Sequence, residues 1–149
     1  MTQKDDDNKT LIIGIGNIGR SDDALGWMFL DRLKGMSNLI LEYRYQLQIE
    51  DAELISQYRR VIFVDAFKGD LDEGFFFKEC IGEKQENLNS HALLPETVVW
   101  LCQELYDSKP ENLVMAIQGL NWNLAMGVSD EAMVNLEKAL EHLELSLKA

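Results

Sequence analysis

The chain is short of positive charge and of cysteine, and it has no long apolar run. Each shortage excludes something. Lysine and arginine number 14 against 26 aspartates and glutamates, a formal net charge of −12. A nucleic-acid partner demands a basic face for its phosphates, so this balance argues against one. It argues equally against an anionic membrane surface, and it fits a partner that is basic or brings a metal cation. The two cysteines, Cys80 and Cys102, form no Cys-x-x-Cys pair, which speaks against a zinc knot or a thioredoxin-like motif. No apolar stretch approaches the ~20 residues that a membrane helix needs. The opening MTQKDDDNKT is acidic and lacks the apolar segment of a signal peptide. These features predict a cytoplasmic protein in a reducing compartment, with neither membrane nor nucleic acid as partner. The length fits one domain over residues 1–149, with 1–9 as a frayed tail. No internal repeat or low-complexity linker divides it.

What is present is an alternation of buried-strand and helix patterns. LIIGIG (11–16) is a short continuous apolar run ended by glycine, the mark of a strand buried on both faces. A polar loop leads into DALGWMFLDRLKG, where Leu25, Met28, Phe29 and Leu33 recur at helical spacing and Gly35 ends the helix. LILEYRYQLQI (39–49) is rich in strand formers, and EDAELISQY reads as a short helix. RVIFVDAF (60–67) is a second buried strand, with Asp65 at its carboxyl end. GFFFKECI follows a Gly- and Asp-rich turn and reads as an edge strand carrying Cys80. LLPETVVWLCQELY places Pro95 in a first helical turn, with Val98, Leu101, Cys102 and Leu105 as its apolar stripe. NLVMAIQG is another buried strand. Ser129 then caps a last helix whose stripe is Met133, Leu136, Leu140, Leu143 and Leu147. The gaps suit crossover connections, so the pattern predicts an α/β domain with a mostly parallel sheet covered on both faces.

Gly14-x-Gly16-x-x-Gly19 matches the dinucleotide fingerprint, which offers one reading: an NAD- or nucleotide-binding domain. In that motif the helix starts on the glycines and its N–H groups receive the pyrophosphate. Here Arg20-Ser21-Asp22-Asp23 intervenes, and two carboxylates stand where the cofactor's negative charge belongs. The acidic residue expected ~20 positions further on has one candidate, Glu42, which lies inside a strand pattern. A cation suits the same loop better. Carboxylates after the first strand sit at the carboxyl edge of the sheet, where open α/β sheets place their ligands, and Asp65 belongs to that edge. His91, in NSHALLPE just before a helix, can reach it. Each residue also has an ordinary reading: Asp22 or Asp23 as a helix cap, Asp65 as a loop carboxylate, His91 as a packing or capping residue. Together they form a mixed oxygen and nitrogen set suited to a first-row divalent metal, with positions open for a partner's ligands.

The chain resembles the hydrogenase maturation proteases, endopeptidases that trim the C-terminal tail of the large subunit of nickel–iron hydrogenases. LIIGIGNIGRSDDALGWMFLDRL is similar to the family's opening Gly-x-Gly-Asn strand, loop and helix with its acidic pair. VIFVDAF resembles the strand closing on Val-Asp-Ala, and SHALLPETVVWLCQELY the segment carrying the family's histidine. AIQGLNWNLAMGVSDEAMVNLEKAL is similar to its last strand, loop and capped helix, and YQLQIEDAELI resembles a branch with a Gln-Leu pair before a short helix. The resemblance runs in consistent order from Leu11 to about Leu143. It implies a three-layer α/β/α sandwich with a central sheet of about five strands. Matched position by position, it also implies that Asp23, Asp65 and His91 are the metal ligands. The implied partner is a hydrogenase large-subunit precursor that arrives with nickel on its own thiolates. Three departures stand out: Ser21 and Ala24 replace glycines of the usual Gly-Asp-Asp-Gly, Arg20 stands where an apolar residue is common, and a Gly-rich stretch after the second strand is missing.

The implied reaction is hydrolysis by water. Either the metal polarises the scissile carbonyl or activates a bound water, or Asp23 or Asp65 acts as general base. Backbone N–H groups near Gly16 and Asn17 are candidates for an oxyanion hole. Cys102 reads as core, Ser21 and Ser90 lack a free imidazole partner, and His142 reads as solvated on the last helix. Trp27 and Trp100 read as packing residues; Trp27 and Trp122 are the alternative lining of a substrate groove. A non-catalytic nickel-checking module is the remaining alternative.

Overall fold

The computed structural model describes residues 8–86 and 93–148, and the following refers to those. Five strands form one sheet: β1 (Thr10–Ile15), β2 (Leu39–Arg44), β3 (Arg60–Lys68), β4 (Phe75–Glu79) and β5 (Glu111–Gly119). Four α-helices flank it: α1 (Leu25–Asp31), led in by a 3₁₀ turn over Ser21–Ala24, then α2 (Glu50–Ser56), α3 (Pro95–Tyr106) and α4 (Asp130–Lys148). The strand order is β2-β1-β3-β5-β4. The first four in that order run parallel, with Thr10 opposite Leu39 and Arg60, and Arg60 opposite Glu111. β4 closes one edge antiparallel to β5, Phe75 facing Ile117.

Alternation along each strand builds the three layers, since successive side chains leave the pleat on opposite faces. Leu11, Ile13, Val61, Phe63 and Val114 meet Ala52 and Ile55 of α2 and Val98, Val99 and Cys102 of α3. Ile12, Ile62, Val64, Met115 and Ile117 meet Leu25, Phe29 and Leu30 of α1 and Ala132, Leu136 and Leu140 of α4. The expected three-layer sandwich with a mostly parallel five-stranded sheet is therefore what the chain forms. Ser129 caps α4 as expected, its Oγ accepting from the Ala132 N–H at 3.3 Å.

Several details differ. β2 stops at Arg44, short of Ile49. Leu105 is exposed and Val99 takes its place in the core, because α3 turns its stripe toward α2 and the sheet. Cys80 lies one residue past β4, although its N–H still reaches the Asn112 carbonyl at 2.8 Å. His142 is exposed, yet its ring rests 5.3 Å from Phe75 and 5.6 Å from Phe77.

Candidate active site at the carboxyl edge of the sheet

The chain leaves β1 through α1 on one face to reach β2, then returns through α2 on the other face to β3. β1 and β3 are thus neighbours whose connections diverge, and open α/β sheets bind ligands in the crevice at such a switch point. The last β1–β3 pairing is Gly14 with Val64. Beyond it β3 continues to Lys68 beside β5 alone, so Asp65 is not the end of its strand. It is the first residue of β3 past the paired part of β1, which opens its flank to the crevice.

Asp23 reaches the same crevice from the 3₁₀ turn. Gly16 makes this approach possible: a Cβ there would lie 2.2 Å from the Asp23 carbonyl oxygen. That oxygen accepts from the Asn17 N–H at 3.1 Å, and the Asp23 N–H donates to the Arg20 carbonyl at 2.9 Å. Glycines in this loop serve packing within the chain. Gly14 and Gly26 let α1 lie directly on β1, where a Cβ on Gly26 would stand 2.3 Å from the Ile15 carbonyl oxygen.

The two carboxylates sense each other. Burial pushes Asp65 up from 3.8 to about 7, the Asp23 charge adds to the rise, and the Ala66 N–H, 2.8 Å from Asp65 Oδ1, opposes it. Burial raises Asp23 as well, and the positive charges of Arg20 and Lys68 only partly offset it. Among the described residues no hydrogen bond ends on the Asp23 carboxylate. A carboxylate pair of this kind, partly dry and close together, favours either a shared proton or a cation. The oxygen donors thus fit a divalent metal. Among the described residues no group of three His, Cys, Asp or Glu side chains is placed to hold one. The third expected ligand, His91, lies outside the described residues, as does Ser90.

Asp22 behaves in the opposite way. It is fully buried and turned to the loop 120–129. It accepts from the N–H groups of Leu120 (2.7 Å), Asn121 (2.9 Å) and Ser129 (2.7 Å) and from the Ser129 hydroxyl (2.7 Å). Burial alone would raise its pKa, but these bonds together outweigh it and hold the carboxyl below its ordinary value. Neither aspartate caps the first helix, whose start carries no side-chain cap. The reason is that the 3₁₀ turn already satisfies its N–H groups: Ser21 donates to the Ala125 carbonyl at 2.8 Å and Asp22 to that of Asn121 at 2.9 Å.

This arrangement bears on the nucleotide reading. Pyrophosphate binding needs free N–H groups at the helix start and open space over the second glycine. Here those N–H groups are engaged and the Asp23 carbonyl fills the space. Glu42 is ion-paired with Arg44 at 3.0 Å, within β2. The expected oxyanion donors are corrected too: Gly16 N–H donates to the Arg44 carbonyl at 2.9 Å and Asn17 N–H to that of Asp23, so both are used by the strand-to-loop turn. Cys102 is buried on α3, and burial pushes Cys80 up to about 12, so neither thiol has nucleophile character. The Ser21 hydroxyl is buried and donates to the Asn123 carbonyl at 2.8 Å.

Three features of the site escape the sequence reading. Arg20 and Lys68 bring positive charge beside Asp23. Lys68 lies over the Trp122 ring, 5.3 Å from its centroid, while Trp27 instead spends its indole N–H on the Arg44 carbonyl at 2.9 Å. The loop 120–129, gripped by Asp22, forms a wall beside the turn and exposes Leu124 and Met126. The one sequence signal for that wall is the absence of any charged residue between Glu111 and Asp130.

No model of a known protein family matches the chain, and no curated protein matches it. Solved structures do. The chain is similar to the NiFe hydrogenase maturation protease HycI from Thermococcus kodakarensis KOD1, with a TM-score of 0.72 and 23% identity over 95% of this chain and 94% of that one. It shares these proteases' fold. For the hydrogenase maturating endopeptidase HybD from E. coli the TM-score is 0.73 at 15% identity, over 94% of this chain and 92% of that one. For the E. coli endopeptidase HycI it is 0.65 at 16% identity, over 91% and 89%.

Proposed function

We propose that the chain is an endopeptidase that removes the C-terminal tail of a nickel–iron hydrogenase large-subunit precursor once nickel is in place. The observation that carries the reading is the pairing of Asp23 with Asp65 at the switch point between β1 and β3. Its support is the fold shared with solved hydrogenase maturation proteases, and the motif order from Leu11 to about Leu143. Asp23, Asp65 and His91 give an incomplete donor set. That suits a metal which arrives as part of the substrate, already held by the precursor's thiolates. A cation between the two aspartates removes the repulsion that raises Asp65, so a nickel-loaded precursor binds where an empty one meets two crowded carboxylates. In hydrolysis a water oxygen bonds to the scissile carbonyl carbon, the carbon–nitrogen bond breaks, and the water's proton passes to the departing amine. The water is activated either by the substrate's metal or by one of the two aspartates as base, and a group titrating near 7 is suited to that transfer. The setting is the cytoplasm; among the described residues no helix is long and apolar enough to cross a membrane.

The test is trimming of nickel-loaded and nickel-free precursor, read by mass spectrometry. The wild-type chain is expected to cut only the loaded form. Asp23→Asn and His91→Ala are expected to keep the wild-type circular dichroism spectrum and to abolish cutting. Full trimming by either variant removes the metal role. A wild-type chain that binds loaded precursor and never cuts it is a nickel-checking module instead.

A further inference from the structure

We propose that Asp22 is a positioning residue of this site: through the loop it grips, it holds Asp23 where that carboxylate meets the substrate's metal. The inference rests on the peptidase reading above. Asp22 is a fully buried carboxylate with no cationic partner among the described residues. Four donors satisfy it instead, three N–H groups and one hydroxyl, all 2.7–2.9 Å away. Of the side chains of this size, only a carboxylate is acceptor at both oxygens and can take all four. Three further bonds run the other way, from the Asp22 N–H, the Ser21 N–H and the Ser21 hydroxyl to the carbonyls of Asn121, Ala125 and Asn123. The dipeptide is therefore tied to loop 120–129 in both directions.

Asp23 is the next residue. Its peptide is held on its other side by Asn17 and Arg20, and its own carboxylate is left without a hydrogen bond from the described residues. A carboxylate without a hydrogen bond from the described residues takes its place from the backbone beneath it. Loosening the clamp lets the turn shift, and misplacement by about 1 Å is enough to cost on the order of 100-fold in rate.

The experiment measures kcat and KM for nickel-loaded precursor with the full chain, roughly 15 °C or more below each variant's melting temperature so that the folded form is assayed. Asp22→Asn turns an acceptor into a donor facing N–H groups, and its kcat is expected to fall at least about tenfold. Ser129→Ala, the milder variant, removes one donor to Asp22 together with the α4 cap and should lower kcat about threefold, with Ser129→Thr restoring it by returning the hydroxyl. Exchange of the Ser21–Asp23 amides with deuterium should quicken in the same order. A purely structural Asp22 would lower the melting temperature and leave kcat of the folded form unchanged; that result, for both Asp22→Asn and Ser129→Ala, overturns the inference. Asp23→Asn runs alongside. If it is inactive while the clamp variants keep wild-type kcat, the positioning role falls and the peptidase reading stands. If it is fully active, the reading itself has failed.

Discussion

Asp22 and Asp23 are adjacent in the chain and opposite in circumstance. One is sealed in the fold, saturated by four donors and held below its ordinary pKa. The other stands in the crevice without a hydrogen bond from the described residues, raised by burial and coupled to Asp65. The difference shows how a fold separates structure from chemistry within two residues. A carboxylate given donors becomes a rivet, whereas one deprived of them keeps its oxygens available for a cation that arrives from outside.

The comparison breaks most readily at stability. Asp22→Ala leaves three N–H groups and a hydroxyl buried without their acceptor, and should cost about 3 kcal/mol, lowering the melting temperature by roughly 10 °C. Asp23→Ala should leave it unchanged within about 2 °C, or slightly raised. Equal losses in thermal melts would erase the distinction.

A pH series sharpens the crevice side. Asp65 has its folded pKa raised from 3.8 to about 7, so its contribution to stability is fully present below pH 3.8 and is lost as pH rises through about 7. Asp65→Asn carries no such loss. It should match the wild type near pH 4 and become the more stable form between pH 4 and 7, by about 2 kcal/mol, half of what the shift would give in a dry site, because Asp65 is only partly buried. Urea denaturation at pH 4.5 and 8 reads this directly, and a gap that closes with rising pH would contradict the coupling.

The smallest effect lies at Ser21, whose φ of 47° is left-handed, a conformation that favours glycine. Ser21→Gly relieves about 1 kcal/mol of backbone strain and gives up the hydroxyl bond to the Asn123 carbonyl, of similar worth, so stability should stay within ~0.5 kcal/mol. A larger loss would mean the serine hydroxyl contributes more to the clamp than its single bond suggests. The same geometry explains how serine replaces a glycine of the resembled motif: it adds a hydrogen bond that offsets the strain.

Much of the fold was legible because its causes are local. Runs such as LIIGI and VIFV bury both faces, and the period of the last helix follows Leu136, Leu140 and Leu143 into the core. The ends were less so. β2 stops at Arg44, and Leu105 leaves the core to Val99, because neighbouring elements decide which side of a short segment is covered. Within the site, Asp23 and Asp65 could be named from their places after two buried strands, and the structure brings them together.

By itself the sequence determined the order of strands and helices, the two apolar faces of the sheet, and the presence of carboxylates at its carboxyl edge, since residue period and glycine placement act over a few positions. Only the tertiary structure decided which aspartate of the adjacent pair is riveted and which is free. The donors that choose Asp22 lie 98 to 107 residues further along the chain, and nothing near it in sequence announces that they will close over one carboxylate and leave its neighbour facing the crevice.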